Sequence, residues 1–254
     1  MTMYVRAKKA LGQHFLTNDA IAQRIADALV SDGALNVLEV GCGTGALTKH
    51  LLQRSDTRLK GIEIDDESIE YLRENYPALM PNLYAADFLK ADLRKIFLDG
   101  DFAVIGNFPY NISSQIFFKI LDYRQSVPQV VGMLQKEVAE RLASGPGNKS
   151  YGILSVLLQA WYDIEYLFTV GEHEFSPPPK VKSAVIRLKR NGRQELGCDE
   201  AKFRLVVKTA FNQRRKTLRN SLKPIGVEVP EEYAGLRPEQ LDVEHFIDLT
   251  KKIG

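Results

Sequence analysis

Short apolar runs alternate with helical patterns along the first part of the chain. The runs are four to six residues long, and we predict strands at 36–40, 59–64, 82–86, 102–105 and 129–134. Between them, apolar residues recur at helical spacing, for example over 68–75 and 114–123. Strands that alternate with helices pair in parallel through crossover connections, so the pattern predicts a doubly wound α/β sheet. Ligands of such sheets bind at the carboxyl ends of the strands.

The rhythm changes after residue 160. Two further strands are predicted at 163–170 and 183–188, and the segment Phe175–Lys180 between them contains three consecutive prolines. This segment is too stiff and too short for a crossover helix, so we expect an antiparallel hairpin that closes the sheet. A polar stretch at 189–197 is a candidate linker. Helical patterns follow it, at 200–211, 214–223 and 238–250.

Composition indicates a folded protein in a reducing compartment. The chain has 254 residues, of which 44% are hydrophobic and 26% charged, which is typical of globular domains. Cys42 and Cys198 are too few for a disulfide framework, and no metal-ligand spacing occurs, so we expect no metal. The polar, basic segment Met1–Leu11 lacks the apolar core of a secretory signal, and no apolar run is long enough to span a membrane. We therefore expect a cytoplasmic protein.

Charge is distributed unevenly. Residues 1–188 contain 20 basic and 22 acidic side chains, whereas residues 189–254 contain 14 and 10. Within the second region, Ala201–Val227 holds eight Lys or Arg and no Asp or Glu. A block of one sign favours a polyanionic partner. A solvated helix face accounts for the block equally well.

The first predicted strand runs into a glycine-rich loop that begins at Gly41. The loop fits both the Gly-x-Gly-x-Gly pattern of methyltransferases and the Gly-x-Gly-x-x-Gly/Ala pattern of dinucleotide-binding proteins. Glu63, at the end of the second strand, suits either, because its carboxylate can accept hydrogen bonds from both ribose hydroxyls. Glu39 and Asp87 favour a methyltransferase, in which Asp87 accepts a hydrogen bond from an adenine amine. Taken alone, Asp87 is equally well explained as a helix N-cap.

The fourth predicted strand ends in Gly106–Ser113, where Asn107-Phe108-Pro109-Tyr110 resembles the Asn/Asp-Pro-Pro-Tyr motif of amino methyltransferases. The lone pair of an exocyclic adenine amine is delocalised into the ring, so the amine is a poor nucleophile. Acceptors that bind its two hydrogens draw it toward tetrahedral geometry. The Asn107 oxygen and a backbone carbonyl of the Phe108–Pro109 turn can serve as acceptors, and Tyr110 offers a face for stacking. Catalysis then rests on positioning and electrostatics.

With these motifs the chain resembles the ribosomal RNA adenine dimethyltransferase family, and in particular its bacterial small-subunit members, over nearly its full length. The resemblance implies a Rossmann-like class I methyltransferase domain at 1–190 and a small helical RNA-binding domain at 191–254. It also implies that an N-terminal arm, residues 1–17, closes over S-adenosylmethionine through its motif Gly12–Leu16. The implied cofactor-binding residues are His14, Leu16, Gly41, Glu63, Asp87 and Asn107. The implied catalytic residues are Asn107, Pro109 and Tyr110.

The resemblance extends to the proline-rich loop and the basic tail. It implies that Tyr110 and Phe175 contact the target base and that the tail binds RNA through Arg214, Arg215, Lys216 and Arg219. Two positions depart from the family. Phe108 stands where Leu is usual, and its ring either narrows the pocket or packs behind it. His14 stands where Asn is common, and we expect a neutral imidazole, or its backbone alone, to fill the same role.

The implied substrate is a pair of adjacent adenosines in a hairpin loop near the 3′ end of 16S rRNA, each methylated twice. The implied setting is the assembling 30S subunit, late in its biogenesis, with a monomeric enzyme that yields S-adenosylhomocysteine. Three alternatives remain open on the residues alone. They are a 23S rRNA adenine methyltransferase of the macrolide-resistance type, a non-catalytic RNA-binding assembly or transcription factor, and a nucleotide-dependent dehydrogenase that binds NAD.

Overall fold

Strands and helices alternate along most of the chain in the computed structural model, which describes residues 5–98 and 100–253. Within these ranges the strands are β1 (Phe15–Leu16), β2 (Leu35–Val40), β3 (Thr57–Glu63), β4 (Leu83–Ala85), β5 (Ala103–Asn107), β6 (Gln129–Gln135), β7 (Tyr162–Val170), β8 (Phe175–Ser176) and β9 (Ser183–Arg190). The α-helices are α1 (Asp19–Asp27), α2 (Thr48–Gln53), α3 (Asp66–Asn75), α4 (Leu93–Ile96), α5 (Ser113–Asp122), α6 (Lys136–Ala143), α7 (Ile153–Gln159), α8 (Glu200–Asn212), α9 (Leu218–Ser221), α10 (Glu231–Ala234) and α11 (Val243–Lys252).

The main sheet has the strand order β4-β3-β2-β5-β6-β9-β7. Strands β4 to β6 pair in parallel, with Glu39 opposite both Gly61 and Ile105. This confirms the doubly wound sheet. Strand β9 runs antiparallel to β6 and closes the sheet together with β7, as the proline-rich segment predicts. Strand β9 lies inside the sheet, and its run Ala184–Leu188 is mostly buried. Strand β7 is buried only at its two end residues, which suits an edge strand.

The chain divides into two compact units. The first comprises Met1–Ala139 and Glu165–Lys189, and the second comprises Glu140–Ile164 and Arg190–Gly254. The predicted domain boundary after residue 190 stays a prediction. None of the described helices has the length and apolar character that a membrane span requires.

The first unit has its core at the centre of the sheet. Val37, Ile105 and Val131, from three adjacent strands, are fully buried, as is Ile25 of α1. Burial of each such side chain contributes about 1.5–3 kcal/mol. Helix α1 begins where Asn18 accepts a hydrogen bond from the Ile21 N–H at 3.1 Å, which satisfies one of the free amides of the first turn. These residues place α1 against the centre of the sheet.

The second unit is built mainly of helices. The ring of Phe211 on α8 lies 5.9 Å from that of Phe246 on α11 and 6.2 Å from that of Tyr151. Asp199 caps α8, and Asp242 caps α11. These contacts confirm the predicted helical C-terminal part.

Two predicted helices in this unit are wrong in extent. In place of the helix predicted at 214–223, the structure has a turn at 213–215 followed by the short helix α9. The Leu218 N–H bonds to the Leu236 carbonyl at 2.7 Å instead of to a preceding helical turn. The prediction for 238–250 is interrupted where Asp242 adopts an extended conformation to cap α11. In both places a contact distant in sequence, or a cap, overrides the helical pattern.

Candidate active site

The chain turns from β2 toward α2 through the glycine-rich loop. Gly41 has φ +74°, a conformation that favours glycine, and no atom lies within 4 Å of where a Cβ would project. At Gly43 (φ +54°) a Cβ would lie 3.1 Å from the ring of Phe15, so this part of the loop is covered by the N-terminal arm. The loop therefore presents bare backbone to an open space on one side and packs against the arm on the other.

That open space is a cavity of about 240 Å³. It is bordered by arm residues 10–16, by the glycine loop and by the segments at the carboxyl ends of β3, β4 and β5. The structure brings together at this cavity the predicted residues His14, Leu16, Gly41, Glu63, Asp87, Asn107, Pro109 and Tyr110. No group of ligands suited to a metal ion occurs among residues 5–98 and 100–253.

Glu63 is almost fully buried and holds the loop in place. Its Oε2 accepts the N–H of Gly43 at 2.8 Å, and its Oε1 accepts those of Ile64 at 2.8 Å and Asp65 at 2.9 Å. Burial raises the pKa of Glu63, and the three N–H groups oppose that shift. Since a carboxylate oxygen has two lone pairs, Oε2 retains one acceptor position.

Glu39 lies behind the loop and is buried as well. The Thr48 hydroxyl donates to its Oε2 at 2.7 Å. Burial, with a smaller contribution from the nearby Glu63, raises the pKa of Glu39 to about 8. Glu39 is therefore mostly protonated at neutral pH.

Asp87 stabilises a turn and does not cap a helix, because the next helix, α4, is capped by Asp92. The hydrogen bond from an adenine amine stays a prediction for Asp87. Its Oδ1 accepts the N–H of Leu89 at 2.9 Å, which stabilises the turn after β4, and the Lys90 ammonium lies 3.6 Å from Oδ2. Asp87 also borders the cavity. The turn thus fixes the carboxylate at the cavity wall and leaves Oδ2 with only a loose partner.

The orientation of Asn107 is set by the arm. Its Nδ2 donates to the backbone carbonyl of His14 at 2.8 Å, whereas its Oδ1 has no hydrogen-bonding partner in the described chain. In the following turn the Pro109 carbonyl accepts the N–H of Ile112 at 3.2 Å, while the Phe108 carbonyl accepts none from the described residues. Two acceptors therefore remain unused at this corner.

Tyr110 and His14 together form one wall. Their ring centroids are 5.3 Å apart with 32° between the planes. The Tyr110 hydroxyl shares a hydrogen bond of 2.5 Å with Ser183, and burial raises the pKa of Tyr110. His14 Nδ1 lies 2.8 Å from the Pro177 carbonyl, so it carries the proton that is donated there. This wall ties the arm to the proline-rich loop.

Phe108 packs behind the cavity corner. Its side chain is fully buried, and its ring meets that of Phe117 edge-on at 5.8 Å. A Cβ on Gly132 would lie 2.5 Å from the Phe108 ring, and one on Gly106 would lie 2.9 Å from it. The Phe108 ring therefore occupies space that is free because Gly106 and Gly132 have no side chains.

Comparison with known proteins identifies the family. The model of the family described as Ribosomal RNA adenine dimethylase matches residues 4–245. The chain belongs to this family. It is 62% identical over 251 residues to a protein of Parabacteroides distasonis named Ribosomal RNA small subunit methyltransferase A, covering 97% of this chain and 93% of the relative. A protein of Cytophaga hutchinsonii with the same name is 58% identical and covers 98% of each chain.

Two solved structures share the fold. A dimethyladenosine transferase from Plasmodium falciparum superposes with a TM-score of 0.76 at 26% identity, covering 93% of this chain and 96% of that one. The 23S rRNA methyltransferase ErmE superposes with a TM-score of 0.72, also at 26% identity, covering 94% and 99%. Membership confirms the Rossmann-like methyltransferase fold and an rRNA adenine dimethyltransferase activity, and it excludes the NAD-dependent dehydrogenase.

Phe175 lies apart from the predicted cofactor-binding and catalytic residues of this rRNA adenine dimethylase. Its side chain is buried in the core with Leu16, with which it pairs between β8 and β1, and it does not border the cavity. Its contact with the target base stays a prediction.

The predicted RNA-binding residues of the tail lie in the second unit and differ among themselves. The side chains of Arg215 and Lys216 are exposed and have no hydrogen-bonding or acidic partner in the described chain. Arg214 donates to the Asn148 carbonyl at 3.1 Å and lies 4.0 Å from Glu239. Arg219 pairs with Glu231 at 2.6 Å. Of these four residues, Arg215 and Lys216 are thus the ones whose charges are free to bind a phosphate.

Sequence reasoning missed Ser183 and Asp65. Ser183 meets Tyr110 across 73 residues of sequence, and no local pattern indicates such a contact. Asp65 binds Lys8 and Gln13 of the arm. The local signal at Asp65 was its N-cap position, since it accepts the Ser68 N–H at the start of α3.

Proposed function

We propose that this rRNA adenine dimethyltransferase converts two adjacent adenosines near the 3′ end of 16S rRNA to N6-dimethyladenosines, using S-adenosylmethionine, during late assembly of the small subunit. The observation that carries the proposal is the corner at Asn107, where two acceptors stand unused beside an aromatic wall. The names of the relatives support the small subunit as the substrate.

The cavity suits S-adenosylmethionine. Gly41 leaves room in front of its backbone, Glu63 Oε2 has one acceptor position for a ribose hydroxyl, and Asp87 Oδ2 can accept an adenine amine. When bound, S-adenosylmethionine supplies an electrophilic methyl group on a positively charged sulfur. Residues 10–16 cover the cavity and exclude water, which strengthens the electrostatic interactions inside it.

The chain prepares the adenine amine for attack. The Asn107 Oδ1 and the Phe108 carbonyl each accept one amine hydrogen, which localises the nitrogen lone pair toward the methyl donor. The Asn107 side chain needs no rearrangement, because the His14 carbonyl already holds its Nδ2 at 2.8 Å. Such preorganised dipoles typically lower a barrier by a few kcal/mol. No strong base is needed before the transfer.

Tyr110 holds the extruded base. Its ring is fixed at one end by Ser183 and flanked by His14, and stacking of a base on such a ring contributes about 1–3 kcal/mol. The base leaves its own stack in the RNA to reach this wall. Because each adenine is methylated twice, the corner beside Asn107 must readmit a monomethylated amine.

The tail contributes affinity rather than sequence specificity. Arg215 and Lys216 bind backbone phosphates in the assembling particle, and Arg214 and Arg219 support them. Phosphate contacts of this kind fix position and carry no sequence information. The single-stranded loop presented to the cavity selects the target. We propose that the enzyme acts as a cytoplasmic monomer.

Incubation with undermethylated 30S particles tests this function. Mass spectrometry of the rRNA should show two dimethyladenosines in one fragment near the 3′ end of 16S rRNA. Undermethylated 50S particles provide the matched control and should remain unmodified. Methylation of 50S particles instead would favour the 23S alternative, and RNA binding without any transfer would favour a non-catalytic assembly factor.

A further inference from the structure

The N-terminal arm is anchored at a buried carboxylate outside the cavity. Asp65 is 2% exposed and bonds to the Lys8 ammonium, and its Oδ2 accepts the Gln13 amide at 3.3 Å. The Lys8 N–H in turn donates to Gln13 Oε1 at 2.8 Å. Lys8 and Gln13 flank the arm residues 10–12, so the first part of the segment 10–16 that borders the cavity is held at both ends.

Asp65 is also connected to the cofactor side. Its backbone N–H donates to Glu63 Oε1 at 2.9 Å, and Glu63 Oε2 accepts the Gly43 N–H. A continuous series of hydrogen bonds thus runs from the arm through Asp65 and Glu63 to the glycine loop. The Phe15 ring of the arm packs on the same Gly43, so the arm contacts the glycine loop directly as well as through this series.

The charges at this anchor depend on one another. Burial alone would raise the pKa of Asp65, but the hydrogen bonds from Lys8, Ser68 and Gln13 hold the pKa below its usual value. If the arm lifted, Asp65 would keep only Ser68 as a side-chain donor in this cluster. Removing one partner of a buried charge is costly, so the closed arm is favoured by Asp65 itself.

We propose that Asp65 is a positioning residue that latches the N-terminal arm over the cofactor cavity through Lys8 and Gln13, and that release of this latch admits and discharges the cofactor. The inference rests on the proposed use of S-adenosylmethionine. Because binding couplings are reciprocal, a bound cofactor should stabilise the closed arm to the same extent that the latch stabilises the bound cofactor.

Lys8→Met tests the latch, and Lys9→Met is its matched control, since Lys9 is the exposed neighbour with no side-chain partner in the described chain. Asp65→Asn removes the charge but keeps a good N-cap for α3. Two quantities are measured on the full chain. They are hydrogen exchange of residues 10–16 without ligand, and the Kd and dissociation rate of S-adenosylhomocysteine.

Lys8→Met and Asp65→Asn should each accelerate exchange and weaken S-adenosylhomocysteine binding by about three- to tenfold, the range for a partly exposed charged hydrogen bond. The losses should add only in part in the double variant, because both substitutions remove the Lys8–Asp65 bond, whereas Lys8→Met also removes the contact of Lys8 with Glu67 at 3.2 Å. In turnover assays the KM for S-adenosylmethionine should change more than kcat. Lys9→Met should match the wild type.

Wild-type exchange and affinity in both variants would overturn the latch. Faster exchange with unchanged cofactor affinity would overturn its coupling to the cavity. A wild-type protein that binds neither S-adenosylmethionine nor its product would refute the proposed cofactor instead, and the exchange data would then decide the latch on their own.

Discussion

The packing around Phe108 predicts that a substitution at Phe108 recovers part of the stability lost on substitution of Gly132. Gly132→Ala places a methyl 2.5 Å from the Phe108 ring, and the other near atoms also belong to that ring. Phe108→Leu removes the part of the ring that is in the way. Gly106→Ala differs, because its methyl would lie 2.5 Å from the Val40 carbonyl oxygen as well.

Magnitudes follow from the packing. Overpacking by Gly132→Ala should cost about 1–3 kcal/mol. Phe108→Leu leaves a small void and loses the edge-on contact with Phe117, which we expect to cost about 1–2 kcal/mol. In the double variant the methyl fills part of that void, so the combined loss should be smaller than the sum by about 1 kcal/mol or more. Gly106→Ala should show no such repair, since a backbone oxygen cannot move away.

Thermal unfolding of the wild type, the three single variants and both double variants measures this, with about 2–4 °C of Tm expected per kcal/mol in a chain of this size. Partial recovery of Tm for Gly132→Ala with Phe108→Leu, and none for Gly106→Ala with Phe108→Leu, is the expected result. Strictly additive losses in both double variants would show that Phe108 does not fill the space above Gly132.

Three further predictions concern the site and the tail. Burial raises the pKa of Glu39 to about 8, so between pH 5 and 8 the wild type takes up a proton on folding and its free energy of unfolding falls as the pH rises. Glu39→Gln lacks this proton uptake and should therefore gain stability relative to the wild type over the same range in denaturant unfolding. Free energies of unfolding that change with pH in the same way for both proteins would contradict this. Neutralising Arg215 and Lys216 together should lower the slope of log affinity for 30S particles against log salt concentration by about 1.5. Arg219→Ala should change this slope less, because the Arg219 guanidinium is paired within the chain. An unaltered slope in the double variant would show that Arg215 and Lys216 face solvent and do not bind RNA. Tyr110→Ala should reduce single-turnover transfer by about 5- to 150-fold, the equivalent of one stacked base, while Tyr110→Phe keeps the ring and should lose far less; equal losses would remove stacking from the mechanism.

The sheet was largely predictable from the chain, because its signal is local. The strand predictions at 36–40 and 129–134 agree with β2 and β6 to within one residue. Apolar and polar residues largely alternate in the sequence of β7, whereas β9 contains an apolar run. This difference indicates that β7 is the edge strand. Parallel strands then bring their carboxyl ends together, which is why Glu63, Asp87 and Asn107 meet at one cavity.

The remaining features depend on contacts that are distant in sequence. The orientation of Asn107 comes from the His14 carbonyl 93 residues earlier, and the Asp65 anchor binds Lys8 across 57 residues. The turn that exposes Arg215 exists because Leu218 bonds to Leu236. A helical pattern cannot reveal such partners. It therefore overextended the helix at 214–223 and gave no hint of the anchored arm.

The most direct test of the mechanism is methyl transfer by Asn107→Ala to undermethylated 30S particles, with particle binding measured on the same samples. We expect transfer to fall by about 100-fold or more, as for the loss of one preorganised polar group in other active sites, while particle affinity stays near that of the wild type. Near-normal transfer by this variant would show that Asn107 does not prepare the adenine amine for attack.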